Sequence, residues 1–225
     1  MVRESYRRQL DELSDKVLSM GNLVAARLRR GLEVLKSPDP ALIEELFRGD
    51  EEVDRLYAEI ERQCIDLLAL QQPVAVDLRL ITTAFKISTD IERVGDIAVN
   101  LGQYARNYHL NLKLLAHEQL FSIGDMVTTM LYGCLKAFYD RDARRAEEVL
   151  ALDDQVDRMF WEFVSQLIAD LIGSRDREVP PRREELVMGA VALLLSIRDL
   201  ERVADHAVNI AARTIYMVES RADYI

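Results

Sequence analysis

Asp90-Ile91-Glu92-Arg93-Val94-Gly95-Asp96-Ile97-Ala98-Val99-Asn100-Leu101 is spelled a second time as Asp199-Leu200-Glu201-Arg202-Val203-Ala204-Asp205-His206-Ala207-Val208-Asn209-Ile210. Eight of the twelve positions are identical, three more exchange Ile with Leu or Gly with Ala, and only Ile97 against His206 changes character. A chain that writes one polar–apolar sentence twice is an internal duplication, which sets the architecture before any propensity is consulted. Within the sentence Glu92, Asp96 and Asn100 are four apart, so on a helix they form one stripe of oxygen ligands. Ile91, Val94, Ala98 and Leu101 recur at helical spacing on an adjoining stripe. The carboxylates therefore border the apolar face. Anionic groups one turn apart repel each other, and a cation is expected to offset them.

The duplication extends well beyond this stretch. A shift of 103 superposes Val24 on Val127, Leu28 on Leu131, Leu32 on Leu135 and Asp39 on Asp142. It then aligns Asp50-Glu51-Glu52-Val53-Asp54-Arg55 with Asp153-Asp154-Gln155-Val156-Asp157-Arg158. Each half reads as three helices. The first spans about 6–36 and is stopped by Ser37-Pro38-Asp39-Pro40, with Asp39 as N-cap and Pro40 at N1 of the second. The second runs to about residue 70, where Gln71-Gln72-Pro73 ends it, and the third continues to about 107. A polar linker over 107–115 leads to helices over about 116–139, 143–172 and 182 onward, with a loop at 173–181. The expected fold is all-α: two tandem three-helix bundles, six helices, divided as residues 1–108 and 109–225.

Few Gly and Pro among 225 residues suit such a fold. The net charge of −10 and pI near 4.9 argue against nucleic-acid binding and against adsorption to anionic lipid. The longest apolar run, 186–197, is too short to span a membrane and reads as a buried core helix. No apolar stretch follows Met1-Val2-Arg3-Glu4, so no signal peptide and no membrane insertion are expected. Cys64 and Cys134 read as small buried hydrophobes in a reducing compartment. Trp161, with Phe160 and Phe163, is expected in the core of the second bundle. His109 and His117 read as surface residues, and His206 as a local variation rather than a ligand.

The hairpins bring acids together. Asp50/Asp54 lie about twenty residues before the turn at 72 and Glu92/Asp96 about twenty-two after it, so at 1.5 Å per residue both pairs sit roughly 30 Å from that turn. Asp153/Asp157 and Glu201/Asp205 repeat the arrangement more loosely. A single DxxxD on a helix is ordinarily a solvated face with local ion pairs. Four copies in register, related by the repeat, form a metal-cluster layout whose oxygen donors suit Mg²⁺, Ca²⁺, Mn²⁺ or iron. No ExxH pair, phosphate loop, nucleophile elbow or HExxH is present, and catalysis has no support.

Gln72-Pro73-Val74-Ala75-Val76-Asp77-Leu78-Arg79, the acid pairs Asp50/Asp54 and Asp153/Asp157, and the doubled Glu-Arg-Val-x-Asp resemble the PhoU family over essentially the whole chain. The resemblance implies a cytoplasmic, non-enzymatic regulator of phosphate uptake and a negative regulator of the phosphate-starvation regulon. It implies an adaptor between a phosphate ABC transporter, through its ATPase, and a sensor histidine kinase, acting as a homodimer or higher oligomer. It also implies multinuclear iron or zinc, and carries the metal role onto Asp50, Asp54, Glu92 and Asp96 and onto Asp153, Asp157, Glu201 and Asp205. Pro180-Pro181 does not keep the Gln-Gln-Pro motif of the first hairpin. A carboxylate-bundle metalloenzyme, a phosphohydrolase or oxidase, is the alternative, and a metal-free scaffold for a partner helix is a third reading.

Overall fold

The computed structural model describes residues 2–108, 118–174 and 180–224. Most of the expected linker, the centre of the loop at 173–181, and His109 and His117 lie outside the described residues. Among those described, every element is a helix. The first repeat contributes α1 (Val2–Lys36), α2 (Pro40–Arg48), α3 (Asp50–Gln71) and α4 (Ala75–Asn107). The second contributes α5 (Glu118–Asp140), α6 (Ala143–Leu150), α7 (Asp153–Ser174) and α8 (Pro180–Glu219).

The start of α2 follows the capping expectation: Asp39 accepts a hydrogen bond from the Ala41 amide at 2.8 Å, with Pro40 in the first turn. Asp142 does the same for α6, accepting from the Arg145 amide at 3.1 Å. The second expected helix of each repeat is broken, however, into a short piece and a long one. The breaks fall at Gly49 and at Ala151-Leu152. Gly49, at φ −67 and ψ −7, caps α2 by donating to Glu45 and Phe47 carbonyls, and the chain restarts at once with Asp50, Glu51 and Glu52. Acids in a first turn favour a new helix N-terminus through the backbone dipole, by about 0.3–1 kcal/mol each at a surface. That signal was in the sequence: Gly-Asp-Glu-Glu is a stop followed by a start.

The long helices α1, α4, α8 and α5 pack in that cyclic order, with α3 laid on α4 and α1, and α7 on α8 and α5. One hydrophobic core runs through both repeats. The pseudo-two-fold passes between α1 and α5. A Cβ on Gly21 would stand 2.5 Å from Leu135, and one on its counterpart Gly124 2.7 Å from Leu32. Since 21 increases to 32 as 135 decreases to 124, the two helices are antiparallel, and the missing side chains let them close.

The α4–α8 seam is polar at two buried points. Asp90, 6% exposed, receives Arg213 Nη1 and pairs with His206 Nδ1 at 3.0 Å. Asp199, its repeat counterpart and 5% exposed, accepts from Tyr104 Oη at 2.9 Å and Asn100 Nδ2 at 3.2 Å. Burial and the Asp199 charge push the Tyr104 phenol up to about 12. His206 is thus a seam residue, and Asn100 leaves the acid stripe to join it.

Two core expectations need correction. Phe163 is fully buried, but Trp161 is 66% exposed and meets Phe160 edge-on with ring centroids 5.3 Å apart. Along α7, Val156, Phe163 and Leu167 take the inner face, which turns Trp161 outward. The run 186–197 buries Leu186, Leu193 and Ile197 but leaves Val187, Met188, Val191 and Leu194 open. It is amphipathic in use although not in composition. Cys64 and Cys134 are buried free thiols, and burial pushes both up.

Removing one partner of a buried ion pair strands the other. Asp90→Ala should therefore cost about 3–5 kcal/mol, measured as a drop in the urea-unfolding free energy. A loss below about 1 kcal/mol, the range of an exposed pair, would show that the seam does not depend on this charge.

Candidate functional site

Each repeat presents four carboxylates from two helices. In the first, Asp50 opens α3, Asp54 lies one turn on, and Glu92 and Asp96 stand on α4. In the second, Asp153 opens α7, Asp157 follows, and Glu201 and Asp205 stand on α8. The breaks before α3 and α7 matter here, because they put Asp50 and Asp153 at helix N-termini, where carboxylates are favoured.

The acids of each set lie within electrostatic reach of one another. Desolvation raises the Asp50 carboxyl above its usual range; Arg27 opposes this, while Asp54 and Asp96 add to it. Glu92 is raised by desolvation first, then by Asp96, with Arg93 opposing and Asp54 and Asp50 adding smaller pushes. In the second set desolvation again leads. Asp157 and Asp205 raise Asp153 further, and Asp205, Asp157 and Asp153 raise Glu201 against Arg198. Asp205 is raised by desolvation and by Asp157, against His206 and Arg202. These influences cross from α3 to α4 and from α7 to α8. Both hairpins therefore hold their acid pairs at one level. The carboxylates do not close up: among the described residues no three His, Cys, Asp or Glu stand where they could hold a metal ion as placed.

The sets differ in their cations. Arg27 of α1 is buried and donates from Nη2 to Asp50 Oδ1 at 3.0 Å. Arg93 approaches Asp96 at 3.1 Å and Glu92 at 3.5 Å. Among the described residues no ion pair reaches Asp153, Asp157, Glu201 or Asp205, and Arg202, the counterpart of Arg93, bonds Asp199 at 2.9 Å instead. Arg27 is the functional residue that sequence reasoning missed. Its signal was a mismatch: the shift of 103 sets it against the apolar Met130, between the shared pairs Val24/Val127 and Leu28/Leu131. A cleft of about 300 Å³ between α1 and α3, around Lys16, Glu59 and Gln63, lies away from both sets.

A family model described as the PhoU domain matches the chain twice, over residues 17–105 and 120–214. The chain belongs to the PhoU family. A PhoU homolog of Clostridium acetobutylicum, named as a phosphate-specific transport system accessory protein, is 30% identical over 222 residues, covering 98% of this chain and 97% of the relative. The Caulobacter vibrioides homolog of the same name is 32% identical over 209 residues, or 92% of this chain and 87% of the relative. The crystal structure of PhoU from Pseudomonas aeruginosa superposes with a TM-score of 0.83 at 27% identity, covering 96% of this chain and all of that one. PhoU from Streptococcus pneumoniae, described as a phosphate transport system regulatory protein, gives 0.83 at 28%, covering 96% and 98%.

The raised carboxyls make a prediction about this PhoU-family chain free of metal. A carboxyl raised in the folded state binds its proton more tightly there than in the unfolded chain. Stability therefore falls as pH rises through the window from the ordinary values, 3.8 for Asp153 and 4.5 for Glu201, to the raised ones, and the penalty is complete at pH 7. Asp153→Asn and Glu201→Gln should each raise the melting temperature at pH 7, by a few degrees at most because water screens part-exposed groups. The gain should vanish near pH 4, where the wild-type carboxyls hold their protons. Variants that melt lower at pH 7 would mean the acids are net stabilising.

Proposed function

We propose that this chain is the accessory regulator of a phosphate transport system, controlling phosphate uptake and holding phosphate-starvation genes down when phosphate is plentiful. The observation that carries the reading is the double family match, together with relatives named for that role over nearly their full length. The chain acts in the cytoplasm, without inserting into the membrane and without binding nucleic acid, as an adaptor between the transporter's ATPase and a sensor histidine kinase. Among the described residues no helix is long and apolar enough to cross a membrane. The apolar residues left open on the α7–α8 hairpin, Trp161, Ile168 and Val187 among them, supply a surface for association into a homodimer or with a partner. The metalloenzyme alternative finds no support in the relatives' names or in the chemistry of the carboxylate sets.

The two sets are also proposed as metal centres. Their donor chemistry fits: all eight groups are carboxylates, and in each hairpin desolvation first, then the charge of neighbouring acids, raises Asp50, Glu92, Asp153, Glu201 and Asp205. Asp50, Asp54, Glu92 and Asp96 would hold one centre, and Asp153, Asp157, Glu201 and Asp205 the other. Side-chain rotation must gather the donors, since the described carboxylates are not closed around a point. Iron, zinc, manganese or magnesium would supply the positive charge that the acids lack.

Deleting the protein should leave a phosphate-starvation reporter switched on in phosphate-rich medium; unchanged reporter expression would overturn the regulatory reading. For the metal, a ligand bound only by the folded state at one hundred times its Kd adds about 2.7 kcal/mol. Reconstitution with iron, manganese or zinc should therefore raise the melting temperature, and a chelator should reverse it. Protein that carries no metal after reconstitution and melts unchanged would overturn the metal reading.

A further inference from the structure

The acid stripe of α7 continues as an apolar one. From Asp157, helical spacing leads to Trp161, Val164, Ile168 and Ile172. Trp161, Ile168 and Ile172 are exposed, and Val164 is half-buried against the core. The stripe of α8 does the same in the opposite direction. From Asp205 and Glu201 it passes Arg198 and reaches Leu194, Val191 and Val187, all three open. The acids of α7 and α8 feel one another, so both stripes turn to the same side of the hairpin. They run side by side from the acid set toward the tip over about 22 Å, roughly fifteen residues at 1.5 Å each.

The first repeat builds the same hairpin without this track. Ala58 stands where Trp161 does, Glu61 where Val164 does, Ala69 where Ile172 does and Thr82 where Val191 does. Glu61 accepts a hydrogen bond from Tyr57 Oη at 2.7 Å, so the middle of that face is polar. The apolar side chains of the second hairpin are therefore not needed to form it. The acids at the head of the track differ in the same sense. Asp50 is met by Arg27 and Asp96 by Arg93, whereas among the described residues no ion pair reaches Asp153, Asp157, Glu201 or Asp205. Exposed Glu162 and Glu184 flank the track against exposed Arg158 and Arg198, so the four acids at its head leave the face net negative.

We propose that this face docks a basic amphipathic helix of a partner protein. The apolar stripe of that helix lies along Trp161, Ile168 and Leu194, and Lys or Arg residues at one of its ends meet the second acid set. A straight apolar track of about four turns suits anchors spaced i, i+4, i+7 and i+11. Unmet acids at one end give the helix its direction. A second copy of this chain, with its net charge of −10, brings mainly more negative charge to the face, whereas a basic helix supplies the missing sign. This rests on the regulator reading above and deepens it by stating the chemistry of one partner.

Trp161 is the chain's single tryptophan, so its fluorescence reports on this face directly. The test titrates the full chain, in chelator, with a peptide of about eighteen residues, Leu on one helical face and Lys on the other. Trp161 emission should shift to the blue and saturate at one peptide per chain, with affinity falling as salt rises. Ile168→Asp should weaken binding about tenfold or more, while Ile65→Asp, at the matching position of the first repeat, should leave it unchanged. Glu201→Gln combined with Asp205→Asn should weaken it and flatten the salt dependence. No shift with the peptide, equal weakening by Ile65→Asp, or equal binding of a Leu/Glu twin would each overturn the docking face. The regulator reading stands or falls separately, on the reporter in the deletion strain. An emission shift on raising protein concentration alone, with the mass doubling in sedimentation, would give the face to a second copy and overturn the partner helix. Should Ile168→Asp fail to fold by circular dichroism, the Leu/Lys peptide against its Leu/Glu twin on wild type still decides.

Discussion

Asp90 and Asp199 are charges buried between the two repeats, and each is met by donors from the other repeat. An unpaired charge at such depth is expensive enough to forbid most sliding of α4 along α8. The seam therefore fixes the register of the two helices that carry the doubled motif. At about 100° per residue, Glu92 and Asp96 point roughly 120–160° away from Asp90 on the same helix. Whatever holds the seam inward also holds the acid stripe on the flank, beside α3 and part-exposed. The same geometry serves Glu201 and Asp205 under α7. The location of both acid sets thus follows from a contact neither of them makes.

The apolar half of the design is less particular. Gly21 against Leu135 and Gly124 against Leu32 let α1 and α5 close around the pseudo-two-fold, and the core is continuous through it. Such packing supplies most of the stability but tolerates volume-conserving change. A buried aspartate with fixed donors does not. The polar seam specifies one arrangement among the several that the apolar stripes of long amphipathic helices would permit.

Much of this was legible in the chain. Periodicity and the repeat gave the six helical segments; Asp39-Pro40 and Gln71-Gln72-Pro73 gave their ends; and residue counting on each side of the turn put the acids at one level. What escaped had physical causes. The breaks at Gly49 and Ala151 interrupt stretches whose apolar spacing continues across them, so periodicity alone reads through. Trp161 escaped because residue type suggests burial, whereas helical phase decides it. His206 and Asn100 escaped because their partners lie about a hundred residues away and on another helix. Arg27 escaped for a different reason. Repeats are aligned by likeness, and its meaning lies in the position where they differ.

That difference shows what a duplicated fold can do. The backbone, the caps and the acidic stripe are held in common, since each is needed to form a hairpin and its level. The offset of charge is not needed for the fold, because a part-exposed acid set can be screened by water and salt as well as by a guanidinium. It is therefore free to vary between halves. The seam varies in the same way: Asp90 is answered by Arg213 and His206, whereas Asp199 receives the neutral donors Tyr104 and Asn100 from the facing repeat and a charge only from Arg202 on its own helix. A nearly symmetric scaffold thus carries an asymmetric field. A single chain presents one acid set met by a buried guanidinium and another that no ion pair reaches among the described residues.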